Sequence, residues 1–488
     1  MESHQPPEPL GRKTTGIPGL DKLLDGGIVA GAVYIVQGPP GAGKTILANQ
    51  FCFHRAAEGE RCLYLTLLSE SHDRLLRHMG QMQFFDATRI PEMIYYASGF
   101  GALEREGLAG VLRLVSLERR RRDASVVVLD GLFVLEEHAG CERDFRRFVH
   151  DLATLAHLSN CTILLLTNSK RGAGSAEYTM VDGWLELGRE QLAYRALRYV
   201  QVHKTRGSDF LSGRHVLKIS NGGLAVYPRL ESELHPVRTP PRDQGQRLSS
   251  GMAKLDEILG GGLRAGSTTL VVGPTGIGKT SLGLKFLSRC TPEEPGVLFG
   301  FYEDESDLIE KARGNGLDLH AMMASGAVTV VVHPAVEYFL DELGQTLLQA
   351  VQRSGAQRLF VDGVEAFEQS AEHPERLGRY LTAMANILRA AGVTTLYTME
   401  IPKLIGGEVH VEFGPVSAVS QNILVLRYVE LKGCMRRALS IMKARQGAFD
   451  ATIRELVFTE EGLDIGEQFE GVDDILAGHG HPRPPGRG

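Results

Sequence analysis

Two octapeptides in this chain have the residue types and spacing to grip a polyphosphate. Gly38-Pro39-Pro40-Gly41-Ala42-Gly43-Lys44-Thr45 and Gly273-Pro274-Thr275-Gly276-Ile277-Gly278-Lys279-Thr280 both read G-x-x-x-x-G-K-T. The glycines let successive backbone N–H groups curl around phosphate oxygens, where a Cβ would obstruct the approach. The lysine reaches the β- and γ-phosphates, and the threonine hydroxyl is a ligand for Mg²⁺. Ile46 and Ser281 come next, where a helix opens and its N-terminal dipole favours the same anion. A glycine turn that happens to precede a lysine is the plain alternative. Context argues against it. Each octapeptide follows a short apolar run, Ala32 to Val36 and Thr268 to Val272, and precedes a helical pattern, which is the setting the motif requires.

Three further pairs of residues could complete the chemistry. Asp130 and Asp362 each end an apolar strand pattern and precede a glycine. A carboxylate there lies beside the phosphate loop and would hold magnesium, directly or through water; an aspartate that merely starts a turn is the alternative. Hydrolysis also needs a group that orients or deprotonates water. Leu68-Ser69-Glu70-Ser71 and Tyr302-Glu303-Asp304-Glu305 supply Glu70 and Glu303, with Glu305 as a competitor and helix capping as the bland reading. Late in each half comes Lys204-Thr205-Arg206-Gly207 or Lys443-Ala444-Arg445-Gln446-Gly447. On a strand, residues i and i+2 share a face, so each lysine and arginine point together. That suits charge on a γ-phosphate, and it equally suits a solvated strand edge.

The elements around these residues repeat. Gly16 to Leu24 precedes the first loop and Gly251 to Leu259 the second, with Asp21 and Asp256 in one register with Lys44 and Lys279. The chain is therefore read as a duplication. In the first copy, helices over Thr45–Ala57, Leu103–Arg121 and Arg143–Leu158 alternate with strands over Cys62–Leu68, Met93–Tyr96, Val126–Asp130 and Thr162–Thr167. This rhythm predicts an α/β fold with a mostly parallel sheet and helices on both faces. From Gly183 to Ile219 the pattern becomes an antiparallel extension. The second copy repeats it, with strands over Val297–Tyr302, Leu359–Asp362 and Thr394–Met399, then Asn422–Glu430 and Arg437–Lys443. The expected organisation is a flexible N-terminus over 1–13 and a first domain over 14–228. A linker over 229–247, a second domain over 248–478 and a disordered tail over 479–488 follow.

Composition excludes less than it allows. The 488 residues should hold two or three domains, 43% hydrophobic content is enough for full cores, and the net charge of −6 gives no general reason to bind nucleic acid. The six scattered cysteines read as free thiols in a reducing compartment, and the sixteen histidines form no ligand set. No run is long enough to span a bilayer and no signal-peptide pattern opens the chain, so a cytoplasmic location is expected. Arg119 to Arg122 reads as the exposed end of a helix, or as a dock for an acidic partner.

Taken together, the leaders, both phosphate loops, both strand-end aspartates and both lysine–arginine strands resemble the KaiC family, tandem RecA-like P-loop ATPases that include cyanobacterial clock proteins. The likeness runs from Thr14 to about Gly478 and takes in Tyr428 to Gly433 and Phe458 to Leu476. It implies ATP and Mg²⁺ as cofactors, bound between neighbouring subunits of a hexameric double ring. It implies that Lys204, Arg206, Lys443 and Arg445 reach the neighbour's nucleotide, and that a KaiB-like or other signalling protein is the partner. It also implies serine autokinase activity at Ser417, where the family's serine–threonine pair is here Ser417-Ala418. Ser69 and Tyr302 depart from the family, which carries glutamate at both positions. Two other function classes remain open: a RecA-like DNA-dependent ATPase using the loops Ser169–Gly174 and Pro402–Gly407, and a nucleotide-binding scaffold with little turnover.

Overall fold

The computed structural model describes residues 11–67, 72–168, 176–192, 195–233, 245–334, 336–401, 414–431, 433–445, 449–469, 472–473 and 479–482. The chain forms two compact units, Met1–Glu233 and Leu234–Gly488.

In the first unit nine strands form one sheet. Their order is Gly223–Tyr227, Arg214–Ser220, Arg195–Thr205, Gly183–Leu192, Val33–Gln37, Thr162–Thr167, Val126–Asp130, Cys62–Thr66 and Ile94–Ser98. The last six, from Gly183–Leu192 onward, run parallel; the first three extend the sheet antiparallel. Alternation explains why the parallel strands read as unbroken apolar runs. Tyr34 and Val36 pack to one side with Leu47 and Phe51 of the helix Lys44–Ala57. Val33 and Ile35 pack to the other with Val111 and Val115 of the helix Phe100–Arg122 and Leu152 of the helix Glu142–Ser159. Both faces are covered, as a parallel sheet requires. The strand Val33–Gln37 sits in the middle, between two later strands, so the loop after it opens at the carboxyl edge where ligands bind in such sheets.

The second unit repeats the plan. The strand order is Val328–Val332, Gly296–Gly300, Arg358–Asp362, Thr394–Glu400, Thr268–Gly273, Asn422–Leu431, Cys434–Ala444, Arg454–Thr459 and Gly462–Gln468. The leader aspartates are structural in both units. Asp21 accepts from Thr15 N–H at 2.8 Å, and Asp256 accepts from Ser250 N–H at 2.6 Å and Ser249 Oγ at 2.5 Å. Gly19 and Gly251 lie so close to Val226 O and Lys285 O that a Cβ would stand 1.9 Å from each.

Several sequence boundaries need correction. Residues 11–13, expected to be flexible, are folded: Arg12–Lys13 pairs with Ile28–Val29, and Arg12 donates to Leu24 O at 2.6 Å. Residues 229–233, assigned to the linker, close the first unit. Leu230 is buried, Arg229 N–H donates to His215 Nδ1 at 2.9 Å, and Glu233 pairs with Lys22. Arg247 already belongs to the second unit, in a two-residue strand against Leu263–Arg264. The tail is not wholly irregular, because His479–Pro482 runs as a strand beside Glu430 and Leu431. The residues 234–244 and 483–488 lie outside those described. Four cysteines are buried, while Cys141 and Cys434 are exposed. At the arginine run, Arg120 and Arg121 are exposed, and Arg122 lies 3.6 Å over the Tyr95 ring.

Candidate nucleotide sites

Each phosphate loop joins a central strand to a helix. Gly41 and Gly43 have φ of 76° and 105°, and Gly276 and Gly278 have φ of 71° and 116°, backbone that L side chains rarely adopt. Over Gly41 a Cβ would meet nothing within 4 Å, so the cradle is open to a ligand on that side. Gly38 is demanded by packing instead: its Cβ would stand 2.3 Å from Leu187 O. The side chains of Ala42 and Ile277 are in the core, which leaves only their amides for an anion. Lys44 Nζ donates to Gly38 O at 2.7 Å and Pro39 O at 3.0 Å; Lys279 Nζ donates to Gly273 O and Pro274 O, both at 2.9 Å. Burial lowers the pKa of both lysines, and neighbouring carboxylates oppose that shift. The ammonium groups are therefore held inside the loops, where phosphate oxygens would replace the carbonyls. Ile46 is half-buried on the helix, and Ser281 Oγ accepts from Asn315 at 3.2 Å.

The threonine of each loop faces the strand-end aspartate. Thr45 Oγ1 lies 3.3 Å from Asp130 Oδ2, and Thr280 Oγ1 lies 2.8 Å from Asp362 Oδ2. Tyr64 OH donates to Asp130 at 2.7 Å, and Thr398 Oγ1 donates to Asp362 Oδ1 at 2.5 Å, so each carboxylate is aimed from behind. A hydroxyl and a carboxylate beside a phosphate cradle fit Mg²⁺, which keeps waters and takes few protein ligands. Among the described residues no cluster of three or more His, Cys, Asp or Glu could cage a metal by itself.

The second unit has a cavity of about 380 Å³ over its loop, lined by Lys279, Thr280, Tyr302, Glu303, Asp362 and Glu365 among others. Glu303 forms an ion pair with Lys311, and its Oε2 is buried without a hydrogen-bond partner. Glu305 opens the helix Glu305–Gly314 and does not line the cavity; Asp304 caps that helix by accepting from Asp307 N–H at 2.9 Å. Tyr302 rests against Gly363, whose Cβ would stand 2.6 Å from the ring. Glu70, Ser69 and the loop Ser169–Gly174 of the first unit lie outside the described residues, as do Gln446, Gly447 and the loop Pro402–Gly407 of the second.

The lysine–arginine pairs lie at the other edge of their own sheets. Thr205 is opposite Gly183, which pairs with Tyr34 near the start of the central strand. Lys204 Nζ donates to the carbonyls of Tyr178, Thr179 and Val181 at 3.1, 3.0 and 2.6 Å, and Arg206 donates to Thr179 O at 2.5 Å. The second unit repeats this arrangement. Lys443 Nζ donates to Ser417 O at 2.9 Å, and Arg445 N–H donates to Gln421 O at 3.1 Å. Ser417 sits half-buried on the helix Gly414–Val419, its Oγ donating to Gly414 O at 3.1 Å. The geometry thus separates these residues from the phosphate loop of the same unit, where spacing alone left their placement open.

Two pocket residues escaped sequence reasoning, Glu365 and Glu400. Glu365 is three residues past Asp362, and Glu400 ends the strand next to the loop strand, with its Oε2 4.0 Å from Lys279 Nζ. Burial raises the Glu365 pKa, opposed by hydrogen bonds from its own and the Glu400 N–H groups. Only the offset from a known motif residue could have flagged Glu365, and only sheet order could have flagged Glu400.

Two parallel sheets, each carrying a glycine loop whose threonine faces an aspartate across the carboxyl edge, define a tandem phosphate-loop nucleotide-binding protein. A family model described as the KaiC ATPase matches residues 13–231 and again 248–470. The chain is 25% identical over 486 residues to the circadian clock oscillator protein KaiC of Parathermosynechococcus lividus, covering 96% of this chain and 87% of that one. It is 27% identical over 484 residues to the circadian clock protein KaiC3 of Synechocystis sp., covering 95% and 93%. The KaiC of Synechococcus elongatus is 23% identical over 488 residues, covering 96% and 92%. The chain belongs to the KaiC family of ATPases. No helix among the described residues is long and apolar enough to cross a membrane.

Proposed function

We propose that this chain is a ring-forming ATPase that binds ATP with Mg²⁺ at both loops, hydrolyses it, and acts in signalling or clock-type regulation. The observation that carries the reading is the split between sheet edges. Lysine, threonine and aspartate share one edge, and the lysine–arginine pair of each unit lies at the opposite edge. A ring that stacks the second edge of one subunit against the first edge of the next brings both sets to one nucleotide.

Within such a site the residues divide the work. Loop amides and Lys44 or Lys279 hold the β- and γ-phosphates. Thr45 with Asp130, and Thr280 with Asp362, would hold Mg²⁺, which would supply positive charge against the phosphates. Glu70 or Glu303 accepts a proton as the water oxygen bonds to the γ-phosphorus. The bond from that phosphorus to the bridging oxygen breaks, and ADP leaves. Arg206 or Arg445 of the neighbouring subunit, with Lys204 or Lys443, stabilises the charge that develops.

Ser417 shares the far edge with Lys443, so its hydroxyl would take a phosphoryl group from the neighbour's nucleotide. A two-site phosphorylation cycle cannot run here, because Ala418 follows Ser417. Mass spectrometry after incubation with ATP and Mg²⁺ tests this branch. Phosphate on Ser417 is expected, and none under turnover removes the kinase activity. For the ATPase itself, mass determination with and without ATP and Mg²⁺ should be coupled to phosphate release on one sample. Nucleotide-dependent assembly with turnover is expected, and turnover should fall sharply in Glu70→Gln with Glu303→Gln. A monomer with full activity, or an undiminished double variant, would overturn the reading.

A further inference from the structure

The two pockets differ in charge around the loop lysine. Both have a loop lysine and a strand-end aspartate. Among the described residues, the second has two more carboxylates acting on its lysine. Glu365 lines the cavity, its Oε2 buried with no hydrogen-bond partner, and Glu400 approaches Lys279 Nζ to 4.0 Å. Of the other charged or titratable groups lining that cavity, Glu303 is paired with Lys311, Asp362 faces Thr280, and Tyr302 rests on Gly363. Among the described residues, the cations in the lining are Lys279 itself and Lys311, and Lys311 pairs with Glu303.

The equivalent positions in the first pocket carry no charge. Phe133 stands three residues after Asp130, as Glu365 stands three after Asp362. Val126 pairs with Thr162 and Arg358 with Thr394, each four residues before its aspartate, so Asn168 is the counterpart of Glu400. The lysine environments follow suit: Asp130 is the carboxylate acting on Lys44, whereas Glu400, Glu365 and Asp362 all act on Lys279.

We propose that Glu365 and Glu400 are specificity-determining residues that bias the second pocket toward a nucleoside diphosphate over the triphosphate, relative to the first. The proposal rests on the reading that both loops bind adenine nucleotides. The physical reason is that the loop lysine is the group meant for the β- and γ-phosphates, and here two carboxylates compete for it. A diphosphate leaves them facing the ammonium. A γ-phosphate brings further negative charge against them in a partly desolvated site, where like charges repel strongly.

The test uses the full chain with Lys44→Ala to silence the first pocket. Equilibrium dialysis in Mg²⁺ measures ADP and the non-hydrolysable triphosphate adenylyl imidodiphosphate. Adding Glu365→Gln and Glu400→Gln should raise the triphosphate-to-diphosphate affinity ratio about tenfold, which is about 1.4 kcal/mol. ADP affinity itself should move less than twofold. The converse change, Phe133→Glu with Asn168→Glu in a chain carrying Lys279→Ala, should lower the ratio at the first pocket, and it reads out even if the first variant misfolds. An unchanged ratio while both nucleotides bind overturns the proposal alone. A fall in the ratio on removing the acids also overturns it, since that is the sign of acids recruiting a second cation for the triphosphate. Binding of neither nucleotide to the parent chain overturns the function reading as well.

Discussion

Mixing two defective chains separates a nucleotide site built within one subunit from one shared between two. In one chain Lys44→Ala disables the first loop; in the other Arg206→Ala removes the arginine at the far edge. Both carry Lys279→Ala, so that only the first pocket is read. The structure sets the geometry. Arg206 follows Thr205, whose partner Gly183 pairs with Tyr34, and Gly38 opens the loop four residues further along that strand. Four residues of strand span about 13 Å, so the arginine sits that far from its own loop, toward the opposite edge. A ring of equal and randomly mixed chains has an intact loop at half of its interfaces and an intact neighbouring arginine at half. Both occur together at about one quarter, so phosphate release should recover to about one quarter of the single-pocket rate. Each chain alone should be lower by the ~10³ or more that such an arginine contributes or that loss of the loop lysine causes. Mass determination on the mixture verifies that rings contain both chains. Mixed rings no more active than their parts would refute a shared site, and so would full activity of Arg206→Ala alone.

Other predictions concern stability and the second pocket. Burial would raise the Glu60 pKa, but Lys13, Ser125 and Arg55 more than offset that and hold it at about 2, against an ordinary 4.5. A depressed carboxylate stabilises the fold above its unfolded pKa and loses that contribution as pH falls through the folded one. Glu60→Gln should therefore cost roughly 2 kcal/mol at pH 7, after allowing for partial exposure, and the gap should close between pH 4.5 and 2 in urea titrations. Arg376 bridges the buried Asp341, at 3.0 Å to each oxygen, and Glu372 at 3.5 Å. Arg376→Met takes the shared cation from two buried carboxylates and should destabilise the second unit by about 3 kcal/mol or more, read as a shifted denaturation midpoint. Lys311→Met frees Glu303 from its ion pair and should change second-pocket turnover in a Lys44→Ala background. Glu303→Gln should abolish that turnover while leaving ADP binding intact.

The phosphate loops were legible because their backbone admits few residues. Gly41, Gly43, Gly276 and Gly278 all have positive φ, and a side chain at Gly38 would meet Leu187 O. Asp130 and Asp362 were legible for a related reason: an acid closing an apolar strand is visible in one dimension, and the parallel register then carries it to the threonine. The strands were legible from their apolar runs because both faces are buried. Other features depend on contacts distant in sequence. Nothing local says that Lys204 caps a helix 24 or more residues earlier, or that Glu400 ends beside Lys279. Short strands also escape, because Arg12–Lys13 and His479–Pro482 are polar and find their partners only through the fold. Tyr302 was visible as a departure from the family, but not that its ring lies over Gly363 beside the extra acids.

The most direct measurement is the nucleotide content of the purified chain, loaded with ADP and Mg²⁺, desalted and released by acid for chromatography. Two adenine nucleotides per chain are expected, and Lys44→Ala or Lys279→Ala should each remove one of them. Nucleotide-free protein after loading, or content unmoved by either lysine substitution, would contradict a polyphosphate held at both loops.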